Sequence, residues 1–369
     1  MDSVRRSICR YTESMKLAID IREACRTPLT GKGRWTAGFV SALLEHGVQL
    51  VLLSDRPLPL LSAETWKNAT VHVIPSSGLF WHLKATGFIL RNKEIDAYVS
   101  TVSYLVPVLL RGRKPCITVV HDLISFRQEP HDRRAMFIEH VTMQIAMRYS
   151  SLICTVSEST ARDLREKLPM ASKRIMPIFA GCDQRIAIHP TKGNGPIVCI
   201  GTLCPRKNQL RLIHAYVQLP EDLRKKHPLV LIGSRGWGDD AIIHATQHTR
   251  YVLWIGSVTD AERDAILKEA IMVAFPSLYE GFGFPVLEAF AAGIPVLTSH
   301  GGSLAEVAGD AALIVDPLDE TSVTEGLRKM LEQRDLRHSF ALKGLKRAQD
   351  FSWDKTADLF LQAVDIIGR

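Results

Sequence analysis

Short, unbroken apolar runs alternate with stretches of helical spacing along almost the whole chain. Strands are predicted at 17–21, 48–54, 71–75, 96–101, 116–122, 151–157 and 174–181. Helical spacing fills 34–45, 133–149 and 159–167 between them. A turn-rich polar passage at 189–195 interrupts the alternation. It then resumes with apolar runs at 196–202, 228–234, 251–257, 271–277, 294–299 and 311–316. Strands that are apolar throughout, rather than alternating, are those buried on both faces of a parallel sheet with helical crossovers.

Two such series predict an α/β chain of two Rossmann-like, doubly wound domains with a cleft between them. The first is expected over 1–188 and the second over 196–350, with a C-terminal helix at 351–369 crossing back to the first. Sheets of this kind bind ligands at the carboxyl ends of their strands, so polar residues there are the candidates for chemistry.

Composition narrows the class. With 369 residues, two domains are the expected number. Hydrophobic residues make up 46% and charged residues 23%, which is globular. No apolar run reaches the roughly 18 residues of a membrane span. Residues 1–14 lack the apolar core of a secretory signal and read either as a disordered extension ahead of the first strand or as a start placed too early, before Met15. Seven cysteines with no C-x-x-C pair suggest buried free thiols in a cytoplasmic protein. Residues 1–182 carry 25 Lys and Arg against 16 Asp and Glu, while 183–369 carry 21 against 23. The basic first half suits a polyanion or an anionic membrane surface, or is simply a solvated face. The aromatic, apolar stretch 79–90, flanked by Lys84, Arg91 and Lys93, reads either as an interfacial helix or as a core helix, and the core reading is preferred.

The strongest chemical feature lies at 275–298. A strand gives way to a loop containing Glu280, Gly281, Phe282, Gly283 and Phe284, and Pro285 then opens a helix holding Val286, Leu287 and Glu288. Glycines admit a ligand close to the backbone, and a helix start favours an anion such as a diphosphate. The carboxylates of Glu280 and Glu288 stand eight positions apart, one on each side of that loop, as acceptors for sugar hydroxyls. The second feature is Gly201, Thr202, Leu203, Cys204, Pro205, Arg206, Lys207 and Asn208, directly after the first strand of the second series. Cations at a helix start oppose its dipole, which is itself a reason to expect an anion there.

Weaker candidates come next. His121 and Asp122 end a first-domain strand. Gly31, Gly33 and Arg34 lead from a strand into a helix, Ser157 reads as a helix cap, and 234–238 with Val258 could line a base pocket. No D-x-D and no His/Cys cluster with metal-site spacing occurs, so neither a metal nor a cofactor is expected. The basic residues accompany no nucleic-acid motif, and no such partner is expected.

The E-x7-E block from Glu280 to Glu288 and the "PRKN" turn resemble the retaining glycosyltransferases of family 4, which have the GT-B fold. The likeness is strong over 196–317 and continues at 15–50, 116–165 and 351–353. Within the family it is nearest to bacterial mannosyltransferases of polysaccharide biosynthesis. The resemblance implies a nucleoside diphosphate sugar donor and a glycan or lipid-linked saccharide acceptor; a cytoplasmic enzyme is expected, with peripheral contact to an anionic inner membrane through its basic first half. It implies that Glu280 contacts the donor sugar and that the backbone of 281–287 binds sugar hydroxyls and phosphates. Glu288 would hold the ribose. Lys207 and Arg206 would neutralise the departing diphosphate, with His121 beside the donor sugar and Gly31 and Gly33 facing phosphate and acceptor. Many members carry an Arg where Thr202 stands, so Arg206 is expected to substitute. Retention follows from the family alone. A GT-B-shaped epimerase or phosphorylase, or an inactive sugar-nucleotide-binding subunit, is the alternative.

Overall fold

The computed structural model describes residues 15–27, 29–126, 133–182 and 194–368. The 1–14 extension, Cys9 and most of the 189–195 linker lie outside the described residues. The described chain divides into two compact units. One holds the residues up to Gly181 together with Ser352–Arg369, and the other holds Cys182–Phe351.

The first unit is built on seven parallel strands: β1 (Lys16–Asp20), β2 (Gln49–Ser54), β3 (Thr70–Val73), β4 (Ala97–Ser100), β5 (Cys116–Val120), β6 (Leu152–Thr155) and β7 (Ile175–Pro177). Their spatial order is β3-β2-β1-β4-β5-β6-β7. The order reverses between β1 and β4, which pair in register Ala18 to Tyr98. β1, β4 and β5 are buried along nearly their whole length, as expected for strands covered by helices on both sides. One layer of core joins Ala18, Val51 and Tyr98 to Trp81, Ala85 and Ile89 of the helix Gly78–Arg91. Another joins Val120 and Ile153 to Met143 and Met147 of the helix Arg133–Tyr149.

The sequence predicts the first helix from about residue 34, but it begins at Gly31 and runs to Glu45. Thr30 caps it by accepting from the Gly33 N–H at 3.0 Å. Gly31, Gly33 and Arg34, expected to lead into the helix, are therefore its first turn. The C-terminal helix Trp353–Gly368 packs on this one. Trp353 fills the space over Gly38 and Gly181, and Phe360 meets Phe39 edge-on at 4.9 Å. Such an aromatic pair adds about 0.5–1.5 kcal/mol beyond the area it buries.

The second unit holds six parallel strands: β8 (Ile197–Ile200), β9 (Leu229–Ile232), β10 (Val252–Trp254), β11 (Met272–Phe275), β12 (Val296–Ser299) and β13 (Leu313–Val315). Their order, β10-β9-β8-β11-β12-β13, reverses between β8 and β11. The loops after these two strands, 201–208 and 276–283, are the two strongest sequence features, and the topology makes them neighbours.

Candidate active site

β8 ends in a short 3-10 turn, Pro205–Lys207. Asn208 then takes a left-handed conformation, and the helix Gln209–Val217 follows. Arg206 and Lys207 therefore lie in the strand-to-helix turn read from the sequence, ahead of the helix itself. Asn208 donates to the Pro276 carbonyl at 2.9 Å and the Pro317 carbonyl at 2.7 Å, both across the sheet edge. It is a buried clamp that holds the basic turn against the loop after β11. The Arg206 carbonyl adds to the seam, accepting from the Leu278 N–H at 2.8 Å, with the Ser277 hydroxyl oxygen 3.0 Å away.

The seam brings three charges together, a buried carboxylate and two half-buried cations. Lys207 Nζ donates to Glu280 Oε1 at 2.6 Å, and Arg206 Nη1 lies 3.0 Å from Glu280 Oε2. Ser277 Oγ also donates to Glu280 Oε1 at 2.6 Å. Arg206 Nη1 reaches the Tyr279 carbonyl at 2.6 Å. Burial alone would raise the Glu280 carboxyl. The Lys207 and Arg206 charges, with hydrogen bonds from Lys207 and Ser277, outweigh it and hold the group below its ordinary value. Two cations against one carboxylate leave one net positive charge, suited to an anion.

The Glu280 backbone is fixed from behind. Its N–H donates to the Gly301 carbonyl at 3.3 Å, and its carbonyl accepts from the Ser303 N–H at 3.0 Å and the Ser303 hydroxyl at 3.1 Å. Gly302, at φ 65°, runs so close that a Cβ there would strike the Glu280 carbonyl.

Gly283, at φ 112°, caps the helix Phe284–Ala291. Its carbonyl accepts from the Val286 N–H at 3.0 Å and the Leu287 N–H at 3.3 Å, so those two donors serve the loop itself. Val286 and Leu287 are buried, as is Phe282, whose ring meets Phe284 at 5.3 Å and Phe351 at 5.7 Å. The N–H groups of Gly283 and Phe284 form no hydrogen bond among the described residues. Gly281 is buried on the same loop. Glu288, the fifth residue of this helix, is buried, and Arg263 Nη1 lies 3.8 Å from its Oε2. Arg263 is itself buried and also meets Asp260 at 2.9 Å and Asp264 at 3.0 Å. Sequence reasoning missed it; its only signal is a cation with acids three positions before and one after.

Thr202 is half-buried, and its carbonyl accepts from the Gln209 amide at 3.0 Å. Arg235, from the proposed base-pocket loop, pairs with Asp239 at 2.9 Å.

In the first unit, His121 lies past the end of β5. Its Nε2 is 2.7 Å from the Thr101 carbonyl, and its ring meets Trp35 edge-on at 5.2 Å. A carbonyl only accepts, so Nε2 carries the proton and Nδ1 is the acceptor of the neutral ring. Burial, with the nearby Lys32 charge, lowers the imidazole pKa to about 4. Lys32 Nζ lies 3.8 Å from Asp122, tying the start of the first helix to this turn. Gly31 is exposed there, whereas Gly33 is buried against the Glu23 carbonyl, a packing reason for a glycine. Ser157 accepts from the Thr160 N–H at 3.0 Å and is the helix cap anticipated.

Comparison with known proteins agrees with this layout. The family model described as Glycosyltransferase Family 4 matches residues 30–185, and that described as Glycosyl transferases group 1 matches 184–347. The chain is 28% identical to O-antigen chain mannosyltransferase B of Escherichia coli, over 94% of this chain and 98% of that protein. It shares its fold with Anabaena HepE crystallised with UDP and glucose (TM-score 0.75, 17% identity, 95% of this chain and 99% of that one). It also shares it with sucrose-phosphate synthase of Thermosynechococcus elongatus (TM-score 0.80, 16% identity, 96% and 99%). With both halves matched by successive family models and two Rossmann-like sheets beneath them, the chain belongs to glycosyltransferase family 4 and is a hexosyltransferase of the GT-B fold.

Proposed function

We propose that the chain moves a hexose, mannose from GDP-mannose in the first instance, onto a glycan or lipid-linked saccharide with retention, in the assembly of a surface polysaccharide. The observation that carries this reading is the convergence of Lys207 and Arg206 on Glu280 at the β8/β11 reversal, beside the start of the helix Phe284–Ala291. The likeness to an O-antigen chain mannosyltransferase supports the choice of sugar and product.

The leaving diphosphate gains charge as the glycosidic bond breaks. Lys207, Arg206 and the N–H groups of Gly283 and Phe284 are assigned to that charge, which needs no metal ion. Glu280 is assigned to the hydroxyls of the transferred sugar, and Glu288, held by Arg263, to the ribose. No carboxylate is assigned as a covalent nucleophile. The departing phosphate takes the acceptor proton on the face it leaves, which gives retention. His121 is assigned to the acceptor side, where Nδ1 of its neutral ring accepts from a substrate hydroxyl. A lipid-linked acceptor would bring the chain to an anionic membrane surface, which the basic surplus of its first half suits.

Thermal shift with GDP-, UDP- and dTDP-sugars, followed by transfer of a labelled hexose to polyprenol-linked saccharide, tests the proposal. Stabilisation by a GDP-sugar with acceptor-dependent GDP release is expected. Donor turnover without acceptor to an isomeric sugar nucleotide would instead identify an epimerase.

A further inference from the structure

β3 is the outermost strand of the first sheet, and among the described residues no strand pairs with its outer edge. The Ile74 N–H donates to the Ser54 carbonyl at 2.8 Å, and Ser54 stands opposite Val73 in the parallel register. Bonding residues alternate along such a strand. His72 and Ile74 therefore turn their backbone groups to β2, while Val71 and Val73 turn theirs outward. Side chains alternate as well, between the two faces. Ile74 packs with Trp81 of the helix Gly78–Arg91, and the His72 ring stacks on Phe88 of that helix at 3.9 Å. The side chains of Val71 and Val73 are exposed. An edge with free N–H and carbonyl groups is a template for one more strand.

The helix stands off from this edge. A groove of about 990 Å³ runs between them, with Leu83, Lys84, Gly87, Phe88 and Arg91 on the helix side. Glycine is the poorest helix former after proline, so a glycine inside a helix calls for a reason. Close packing is not the reason at Gly87, where a Cβ would meet nothing within 4 Å. Its bare backbone keeps the middle of the groove open. Lys84 and Arg91 flank that opening, two turns or roughly 10.5 Å apart along the axis. Lys93 follows the helix end, and all three cations are exposed. They form no ion pair among the described residues. Glu94, the acid in the lining, is taken by Lys16 at 2.7 Å.

We infer that this groove receives an extended, acidic segment of a partner protein as an eighth strand of the first sheet. The backbone of the segment pairs with Val71 and Val73. Every second side chain is a carboxylate directed to Lys84, Arg91 and Lys93, and those between lie beside the exposed valines on the other face. Successive side chains on one face of a strand are roughly 6.7 Å apart, so acids at alternate positions reach both Lys84 and Arg91 through their long stems. A second copy fits poorly, because pairing β3 with its own mate would set like cations together. Residues 1–14 of this chain carry Arg5, Arg6 and Arg10 against Asp2 and Glu13, the wrong sign for the groove. The groove lies wholly within the first unit, so the inference stands apart from the sugar donor.

Fluorescence anisotropy of labelled octapeptides, titrated with the full chain, tests it. The probe alternates Glu with Val. One control alternates Glu with Pro, which keeps the charge but cannot pair as a strand; another alternates Lys with Val, which reverses the charge. The chain is expected to bind the Glu and Val probe in the micromolar range, less tightly as salt rises. Both controls should bind at least about tenfold more weakly. Val73→Pro removes an outward N–H and no ladder bond, and should weaken the probe roughly tenfold. Gly87→Leu fills the opening and should do the same while holding or raising the melting temperature. Lys84→Glu with Arg91→Glu should shift the preference to the Lys and Val peptide. Equal binding of the Glu and Pro control would mean a bare cationic patch and overturns the inference. So does absence of probe binding at about 1 mM chain, or undiminished binding by both Val73→Pro and Gly87→Leu. A wild-type dimer in light scattering that Val73→Pro converts to monomer overturns it too, by assigning the edge to a second copy.

Discussion

Lys207 and Glu280, 73 positions apart in sequence, form a 2.6 Å ion pair whose carboxylate Arg206 meets from its other oxygen. The diphosphate proposed to bind here would have to share its cations with a resident acid.

Glu280→Gln should therefore separate binding from transfer. Transfer is expected to fall about 100-fold or more, because an amide holds the developing sugar charge and hydroxyls less well. Affinity for GDP should be unchanged or higher, because Lys207 and Arg206 lose their competitor. Lys207→Met should weaken both. Calorimetric titration of GDP beside single-turnover transfer reads the two effects; loss of GDP binding in Glu280→Gln would remove the assignment of these cations.

The acid sensitivity of the first unit should trace in part to His121. Its folded pKa of about 4 lies below the ordinary 6.5, so protons bind the unfolded chain first. The stability it lends is whole above pH 6.5 and is lost as pH falls towards 4, about 3 kcal/mol in all. Urea melts at pH 7 and pH 4.5 should show a smaller drop in His121→Gln than in wild type. Glu280, held below its ordinary 4.5, acts in the same direction but only at still lower pH. A pH–rate profile should accordingly lack a limb from His121 between pH 5.5 and 8, taken as roughly the range above its titration.

Asn208→Ala should cost about 3 kcal/mol: two buried hydrogen bonds of about 1 kcal/mol each, and a left-handed backbone at about 1 kcal/mol or more. Asn208→Gly should recover only the backbone part. Chemical denaturation of the pair, with GDP affinity measured alongside, checks that the clamp to Pro276 and Pro317 positions Lys207.

Gly302→Ala should act on Glu280 without touching its side chain. The new methyl collides with the Glu280 carbonyl at a φ that disfavours alanine. Transfer should fall roughly tenfold or more while far-UV circular dichroism stays native. Wild-type turnover in this variant would mean that the 301–303 backing is not what sets the Glu280 loop.

Much of this was legible before any coordinates. Strands buried on both faces leave unbroken apolar runs, so both sheets could be read in order, and the loops after β8 and β11 could be picked out by their glycines and charges. Contacts that join distant residues leave no such mark. Nothing in the sequence spacing ties Asn208 to Pro317 or Arg263 to Glu288. The early start of the first helix was missed because Gly31 and Gly33 are poor helix formers, and one capping hydroxyl on Thr30 overrides that preference. The stretch 79–90 allows two readings, interfacial and core, and the preferred core reading holds for only one stripe of the helix: Trp81, Ala85 and Ile89 are buried while Leu79, Phe80 and Leu83 are exposed.

The return of the last helix has a consequence for synthesis. Trp353 and Phe360 complete the apolar interior around Gly38, Gly181 and Phe39, yet they leave the ribosome after every residue of the second unit. The later-made half can close while the earlier one waits for its final piece, inverting the usual N-to-C order of domain maturation. A nascent chain stalled or clipped before residue 352 would carry a finished second unit beside an open, sticky first one, a natural target for chaperones and proteases.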